Sequence, residues 1–283
     1  MNLPYLLPRV VRHFLPERLT RFLLLHSVII RPGLETTDPE TAVKRYLEVL
    51  RARDHSINGK RILVFGYGGR FDTGVGLLEA GAGSVVLCDK YAPADDIHNA
   101  SLLPKYEAHL FLDEGRPRPR PDHMTLLQAD IRDMHPSDEF RPVDLVVSSS
   151  VYEHLDDVEG ITRSLAELTK PNGLQIHFVD LRDHFFKYPF EMLAYSENAW
   201  RGWLNPTSNH NRFRLWDYRS VFDRYFRNVE VQILQRDEAA FEKARPRLRR
   251  EFVSGNLQDD SVTLVQIIAS EPRNNSAKWN SAR

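Results

Sequence analysis

The chain is short of several things, and each shortage excludes something. It has one cysteine, Cys88, so there is no internal disulfide framework and no cysteine-built zinc site, and the lone thiol fits a reducing compartment. Its 38 Lys and Arg face 39 Asp and Glu for a net charge of −1, so it lacks the basic field that draws in nucleic acid. No apolar run reaches the ~20 residues of a membrane span. No internal repeat is visible. What remains is 283 residues with 42% hydrophobic and 27% charged content, which suits one large α/β domain or one such domain with a lid.

The N-terminal stretch, residues 1–31, carries Arg9, Arg12, Arg18, Arg21 and Arg31 against Glu17, interleaved with leucine, valine and phenylalanine. This is a basic amphipathic pattern interrupted by Pro4, Pro8 and Pro16. It has no small-residue cleavage site and no clean apolar core, so it does not read as a signal peptide. Two readings stay open: a helix lying on a membrane surface, and a helical cap over the mouth of a site or at a dimer contact.

The most informative segment runs from Arg61 to Asp89. Ile62 to Phe65 reads as a buried strand, Gly66-Tyr67-Gly68-Gly69 as a tight turn, Gly74 to Glu79 as a short helix, and Val85 to Cys88 as a second strand ending at Asp89. A strand, glycine turn, helix, strand and acid in that order make a βαβ unit that holds a nucleoside, with the carboxylate placed for ribose hydroxyls. Before it, Asp38-Pro39 caps a helix predicted over residues 38–56. After it, Met124 to Ala129, Val143 to Ser148 and Leu174 to Val179 read as further strands. A helix carries Val158, Ile161, Leu165 and Leu168 on one face, and Lys170-Pro171-Asn172-Gly173 ends it. Val229 to Leu234 and Val262 to Ile268 complete seven strands. The expected architecture is a Rossmann-like, mostly parallel α/β sheet with helices on both faces. Residues 1–57 form a helical cap, 58–272 the main domain with a lid insertion at about 183–220, and 273–283 a disordered tail. The run Arg116 to Pro121 alternates Arg and Pro and reads as an exposed extended loop. The basic segment from Lys243 to Arg250 reads as a solvated helix face.

In an open parallel sheet the ligand lies across the carboxyl ends of the strands. Those ends are Gly66 to Gly69, Asp89, Asp130, Ser148 to His154, and Asp180 to His184. This order resembles the class I S-adenosylmethionine-dependent methyltransferases, in particular the small-molecule group called type 11, over residues 58–182. The resemblance rests on Gly66-Tyr67-Gly68, on Asp89, on Ala129-Asp130-Ile131, on Asp144 to Leu155 with its Glu153-His154 pair, and on Lys170 to Gly173. It implies that Gly66, Tyr67, Gly68, Asp89, Lys90, Asp130, Ile131 and Ser148 bind the cofactor, with Asp89 on the ribose and Asp130 and Ile131 on the adenine. Two positions depart from the pattern: Val64 stands where the family usually has an acid, and Arg70 replaces the usual third glycine. Arg70 either pairs with the methionine carboxylate or points to solvent.

Methyl transfer from a sulfonium is an in-line displacement, and a hydroxyl acceptor also needs its proton removed. The candidate bases cluster after the fourth and fifth strands. His184, held by Asp180 or Asp183, is the expected general base, and His154 is a second candidate. A loop-ordering Asp and His network is the alternative. Asp180, Asp183 and His184 are also able to hold a hard divalent cation, although no metal is expected. The aromatic segment 185–218 reads either as a lid over a sugar, polyol or aromatic acceptor or as a small helical subdomain with its own core. Tyr152, Tyr195, Trp200 and His210 are the expected acceptor contacts. The expected function is O-methylation of a sugar, glycolipid or natural product by a cytoplasmic monomer or homodimer, with membrane contact through residues 1–31 open. A silent scaffold of the same fold and an NAD(P)-binding enzyme are the alternatives. A nucleic-acid methyltransferase is disfavoured, because Ser148 to Val151 stands where an Asn/Asp-Pro-Pro-aromatic motif belongs.

Overall fold

A computed structural model describes residues 2–14, 38–137, 140–185, 187–205 and 210–273. The second half of the N-terminal basic stretch and the tail from residue 274 lie outside them, as do Phe186 and Asn209. Nine strands are described: β1 (Arg61–Phe65), β2 (Ser84–Cys88), β3 (Leu110–Asp113), β4 (Arg116–Pro119), β5 (Met124–Leu127), β6 (Val143–Ser149), β7 (Thr169–Asp180), β8 (Phe226–Arg236) and β9 (Val262–Pro272). Seven form one sheet in the order β5-β2-β1-β6-β7-β9-β8. β9 runs antiparallel to both neighbours and the other pairings are parallel. The strand order turns back between β1 and β6, which opens a crevice outside their carboxyl ends.

The apolar runs form central strands because both sheet faces are covered. Along β1, Leu63 and Phe65 enter one core while Ile62 and Val64 enter the other. Side chains alternate across a strand, and each fully buried one contributes roughly 1.5–3 kcal/mol. The α-helices of five or more residues among the described residues are α1 (Leu3–His13), α2 (Pro39–Arg51), α3 (Asp72–Glu79), α4 (Asp96–Ala100), α5 (Val158–Leu168), α6 (Leu215–Tyr225) and α7 (Glu238–Ala244). α2 is capped as its sequence predicts, the Asp38 carboxylate accepting from the Thr41 amide at 3.1 Å. It ends at Arg51 rather than at residue 56.

Three expectations are corrected. The Arg-Pro run is a strand, not a loop: Arg116–Pro119 pairs antiparallel with Leu110–Asp113 in a two-stranded ribbon. The two prolines are buried while Arg116 is exposed. Their alternate spacing puts both missing N–H groups on the same side of the strand, so the ribbon tolerates them. Lys170 to Gly173 does not stand outside the sheet. Thr169 already pairs with Val143, and the register then skips to Leu145 and Leu174, so these four residues bulge within β7. The bulge is pinned by Lys170, whose ammonium donates to Asp144 at 2.8 Å. Finally, α1 runs through Pro8. Pro4 and Pro8 are exposed, so the carbonyl that Pro8 leaves unbonded faces solvent.

The aromatic segment builds a third, separate core with α1 and α7. Tyr5, Phe190, Met192, Leu193, Trp200, Leu204 and Phe241 pack together in it. Packing of this kind is what the helical-subdomain reading expects. In the basic segment Lys243 is exposed on α7, while Arg247 reaches back to Glu191 at 2.8 Å.

Candidate active site

The glycine turn leaves β1 with Gly66, Gly68 and Gly69 all at positive φ, from 66° to 85°. A Cβ on Gly66 would lie 2.4 Å from Val151 Cγ2, and one on Gly69 would lie 2.3 Å from the Pro93 carbonyl oxygen. These glycines therefore serve both turn geometry and close approach. A residue that pattern reading missed holds the turn in place. The buried Asn99 amide donates to the Gly69 carbonyl at 2.9 Å and accepts from the Phe71 amide at 3.0 Å. Tyr67 turns its ring inward and stacks on Phe71; burial pushes its hydroxyl up to about 12. Only its backbone belongs to the turn facing the crevice.

A cavity of about 270 Å³ lies over these strand ends. Its lining includes Gly66, Gly68, Asp89, Asp130, Ile131 and His154. Asp89 follows β2, and its carboxylate accepts from the amides of Tyr91 and Ala92, both at 2.8 Å, and of Gly68 at 3.2 Å. An ionised carboxylate has about four acceptor sites, so Asp89 is fixed by three and keeps one toward the cavity. Asp130 is more heavily engaged. The Arg132 backbone amide and Nε donate to Oδ1 at 3.0 Å, and Arg132 Nη2 donates to Oδ2 at 2.6 Å. Lys90 Nζ lies 3.0 Å from the same Oδ2. Arg132 first, then Lys90, hold this carboxyl well below the usual range. An adenine amine has to displace one of these donors to reach it. Ser148 departs from its expected role. It is fully buried, hydrogen-bonded to His177 Nδ1 at 2.8 Å, and it is Ser149 and Ser150 that line the cavity.

Past β6 and β7 the chain brings three imidazoles together. The ring centroids of His154 and His184 are 4.7 Å apart, those of His184 and His210 4.8 Å, and those of His154 and His210 5.6 Å. Burial first, then the neighbouring rings, push His184 down to about 2 and His210 to about 3. Both are therefore neutral at pH 7. The two aspartates expected to hold His184 are engaged elsewhere. Asp180 is chelated by Arg182, Nε to Oδ1 at 2.9 Å and Nη2 to Oδ2 at 2.6 Å. Asp183 is fully buried and accepts from the Tyr5 hydroxyl, the Arg9 guanidinium and the Phe185 amide. Its function is to clasp α1 onto the domain.

A second cavity, of about 610 Å³, adjoins the first through Leu155 and Asp156 and is lined also by Trp200, Asn205, His210, Asn211, Arg212 and Phe213. His154 lines the first cavity and His210 the second, so the imidazole cluster stands at their junction. The amides and the guanidinium that line this cavity hold backbone. Asn211 Nδ2 donates to the carbonyls of Tyr152 and Leu155 at 2.7 and 3.1 Å, which sets the turn carrying Glu153 and His154. Asn205 donates to the His210 carbonyl at 2.9 Å, and Arg212 to those of Met192 and Tyr195 at 3.1 and 2.5 Å. Of the four expected acceptor contacts, Tyr152 lies in the core between Phe65, His177 and Phe222. Tyr195 stacks on Tyr5 in the third core. Trp200 donates its indole N–H to the His210 carbonyl at 3.0 Å and shows only an edge to the cavity. His210 is the one of the four at the junction. A separate hollow of about 410 Å³, lined by Asn2, Lys187 and Arg247, lies on the cap, away from the strand ends.

Residues 78–176 match the model of the family described as a methyltransferase domain. That span begins just past the glycine turn and runs through Asp89, Asp130 and the Glu153-His154 pair. Over that third of the chain it is similar to methyltransferase domains. No curated protein matches it. Among solved structures it is similar to phosphoethanolamine N-methyltransferase 2 of Haemonchus contortus, with TM-score 0.50 and 14% identity over 85% of this chain and 60% of that one. It is also similar to an S-adenosylmethionine-dependent methyltransferase of Mesorhizobium loti, with TM-score 0.44 and 20% identity over 80% and 96%. A third is the magnesium protoporphyrin IX methyltransferase of Synechocystis, with TM-score 0.47 and 14% identity over 82% and 83%. At such identities these likenesses concern the fold alone.

The cavity over the strand ends fits the cofactor of such domains in one respect and constrains it in another. The open acceptor site on Asp89 and the side-chain-free backbone of Gly66 and Gly68 suit a ribose and a thioether. The saturated Asp130 makes the adenine end tighter. The departures at Val64 and Arg70 now have a physical reading. Val64 is fully buried in the core between β1 and its helices, where an acid would need a partner. Arg70 lies with its Nε 3.6 Å from Asp95, so its charge is directed to the loop that covers Gly69.

Proposed function

We propose that the protein transfers the methyl group of S-adenosylmethionine to a hydroxyl of a polar small molecule, a sugar, glycolipid or natural product, seated in the second cavity. The observation that carries this reading is the imidazole cluster at the junction of the two cavities. In-line transfer needs the acceptor held against the methyl group, and proximity of this kind supplies much of the rate. A hydroxyl must also lose its proton, and an imidazole nitrogen at the junction is a group within reach to accept it. His154, against the first cavity, and His184 behind it are the groups assigned to that proton. Asp180 is chelated by Arg182, its charge still reaching His184, and Asp183 is taken up by α1. Leu3, Leu7, Val11 and Phe14 of the N-terminal segment are exposed, and so is Trp203 beside Phe14. That apolar face supports a lipid-linked acceptor and peripheral membrane contact.

The test begins with calorimetric titration of S-adenosylmethionine and S-adenosylhomocysteine, with NAD(P) as control, followed by an acceptor screen of sugars and phenols. Asp89→Asn should lose saturable binding of the sulfur nucleosides. His154→Gln should bind S-adenosylhomocysteine and lose roughly 10²–10⁴-fold in kcat. Unchanged turnover in that variant removes the imidazole from the reaction.

A further inference from the structure

We infer that Glu153, His154 and His184 form a binding site for one first-row divalent metal ion, at the junction of the two cavities. One ligand atom from each of the three lies within 4.8 Å of the others. Three ligands around one metal with bonds near 2.1 Å stand about 3.4–3.6 Å from one another, so each of these atoms has to move in by about 0.7 Å to close the site. Two imidazoles and one carboxylate suit zinc, cobalt, iron or manganese, and the imidazoles disfavour magnesium and calcium, which prefer all-oxygen ligands.

An independent observation points to a ligand. Glu153 is 1% exposed, and neither carboxylate oxygen completes a hydrogen bond of good geometry, although the Ser150 hydroxyl and the Glu153 and Asp180 backbone lie close to it. A buried carboxylate short of partners is strongly disfavoured unless it is neutralised or coordinated. Its backbone is held firmly, since the Glu153 carbonyl accepts from the Asn211 amide at 2.8 Å. The turn therefore holds this carboxyl in a place where a proton or a cation stabilises it. The environment around the three residues is built like an outer shell. Asn211 sets the turn that carries Glu153 and His154. His210 packs edge-on against both histidine rings, its Nδ1 2.6 Å from the Asn211 carbonyl oxygen. That contact fixes the proton on Nδ1, and Nε2 of His210 is buried with no partner, the state in which a histidine offers a lone pair. Asp180 and Asp183, the carboxylates a sequence reading pairs with His184, take no part, because arginines hold both.

The site rests on the methyl-transfer reading only for its consequence. A nitrogen bound to metal cannot accept a proton, so with the ion bound His154 and His184 would hold the cation, which would make the acceptor hydroxyl more acidic, and the proton would pass to the unligated Nε2 of His210; the base role given to His154 and His184 would belong to the metal-free protein. The binding claim itself stands apart from activity.

The test uses the full chain, stripped with a chelator and dialysed. Co²⁺ is titrated in while the visible d–d bands are followed, with Zn²⁺ competition and Mg²⁺ as control. One equivalent of Co²⁺ should bind and be displaced by Zn²⁺ but not by Mg²⁺. Glu153→Gln and His184→Asn should each weaken Co²⁺ at least tenfold, while their S-adenosylhomocysteine affinity, measured in parallel, shows that the fold and the cofactor cleft are intact. His55→Gln, distant from the cluster in sequence and exposed, should bind Co²⁺ as the parent does. Should either ligand variant prove unfolded, His154→Gln provides the same reading. Absence of stoichiometric Co²⁺ binding, or binding unchanged in the ligand variants, overturns the site. Loss of S-adenosylhomocysteine binding in the parent protein would instead overturn the methyltransferase reading and leave the metal result standing.

Discussion

Replacing Gly66 by alanine separates two reasons for a glycine at the head of the cofactor turn. The first is backbone: Gly66 has φ 78°, a left-handed conformation that costs an L-residue roughly 1–2 kcal/mol. The second is space. The three atoms nearest the added Cβ all belong to Val151, at 2.4, 2.9 and 3.2 Å. Overpacking of this kind costs typically about 1–3 kcal/mol. Gly66→Ala alone should therefore lose about 2–5 kcal/mol by urea denaturation, from the backbone and packing contributions together. Val151→Ala removes the two closest atoms. In the double variant the packing contribution should disappear while the backbone contribution remains, giving a favourable coupling of about 1–3 kcal/mol in a double-mutant cycle. Both residues line the cofactor cavity, so displacement of Val151 in the single variant should also weaken S-adenosylhomocysteine, and the double variant should recover part of that affinity. The stability cycle is read from Cm at constant m, and the affinity by calorimetry. A coupling below about 0.5 kcal/mol, the noise expected for independent sites, would refute the contact argument and leave φ as the sole reason for the glycine.

Further outcomes follow from buried polar groups. Burial drives His177 down to about 3, while an unfolded histidine titrates near about 6.5. The unfolded chain thus binds the extra proton first, and stability falls as pH drops through the window between the two values. Going from pH 7 to pH 5 should cost about 2 kcal/mol from this residue; His177→Gln should lose that much less over the same range in urea titrations, and equal slopes would exclude it. Asp183→Ala should detach α1, because removing one partner of a buried pair costs about 3–5 kcal/mol; limited proteolysis near the N-terminus reads this, and resistance equal to the parent's would count against the clasp. Lys90→Met opens an acceptor site on Asp130, so S-adenosylhomocysteine should bind tighter, by about threefold to tenfold for a hydrogen bond of about 1 kcal/mol. Weaker binding in that variant would mean that Lys90 itself holds the cofactor.

The sequence alone determined the sheet, the glycine turn after β1 and the acid after β2, because these are written in local patterns. Apolar runs bounded by turns can satisfy their backbone only as buried strands, and a glycine turn followed by an acid one strand later has few other uses. Asp38 capped its helix and Val158, Ile161, Leu165 and Leu168 faced the core for the same local reasons. The proline run and the 170–173 bulge were legible as chain irregularities but not as sheet pairing, which depends on a partner strand distant in sequence. The partners of each polar side chain were decided only by the tertiary structure. Asp183 meets Tyr5 and Arg9 across more than 170 residues, and Asn99 meets the glycine turn across 30. Ser148 went to His177, Tyr152 to the core, and the amides of the aromatic segment to backbone carbonyls. Glu153, His154, His184 and His210 come from segments separated by up to 57 residues in the chain, 210 minus 153. Residue type and spacing set what each group is able to bind, whereas which group it meets is fixed by the packing of β6, β7 and the cap, and no local pattern encodes that.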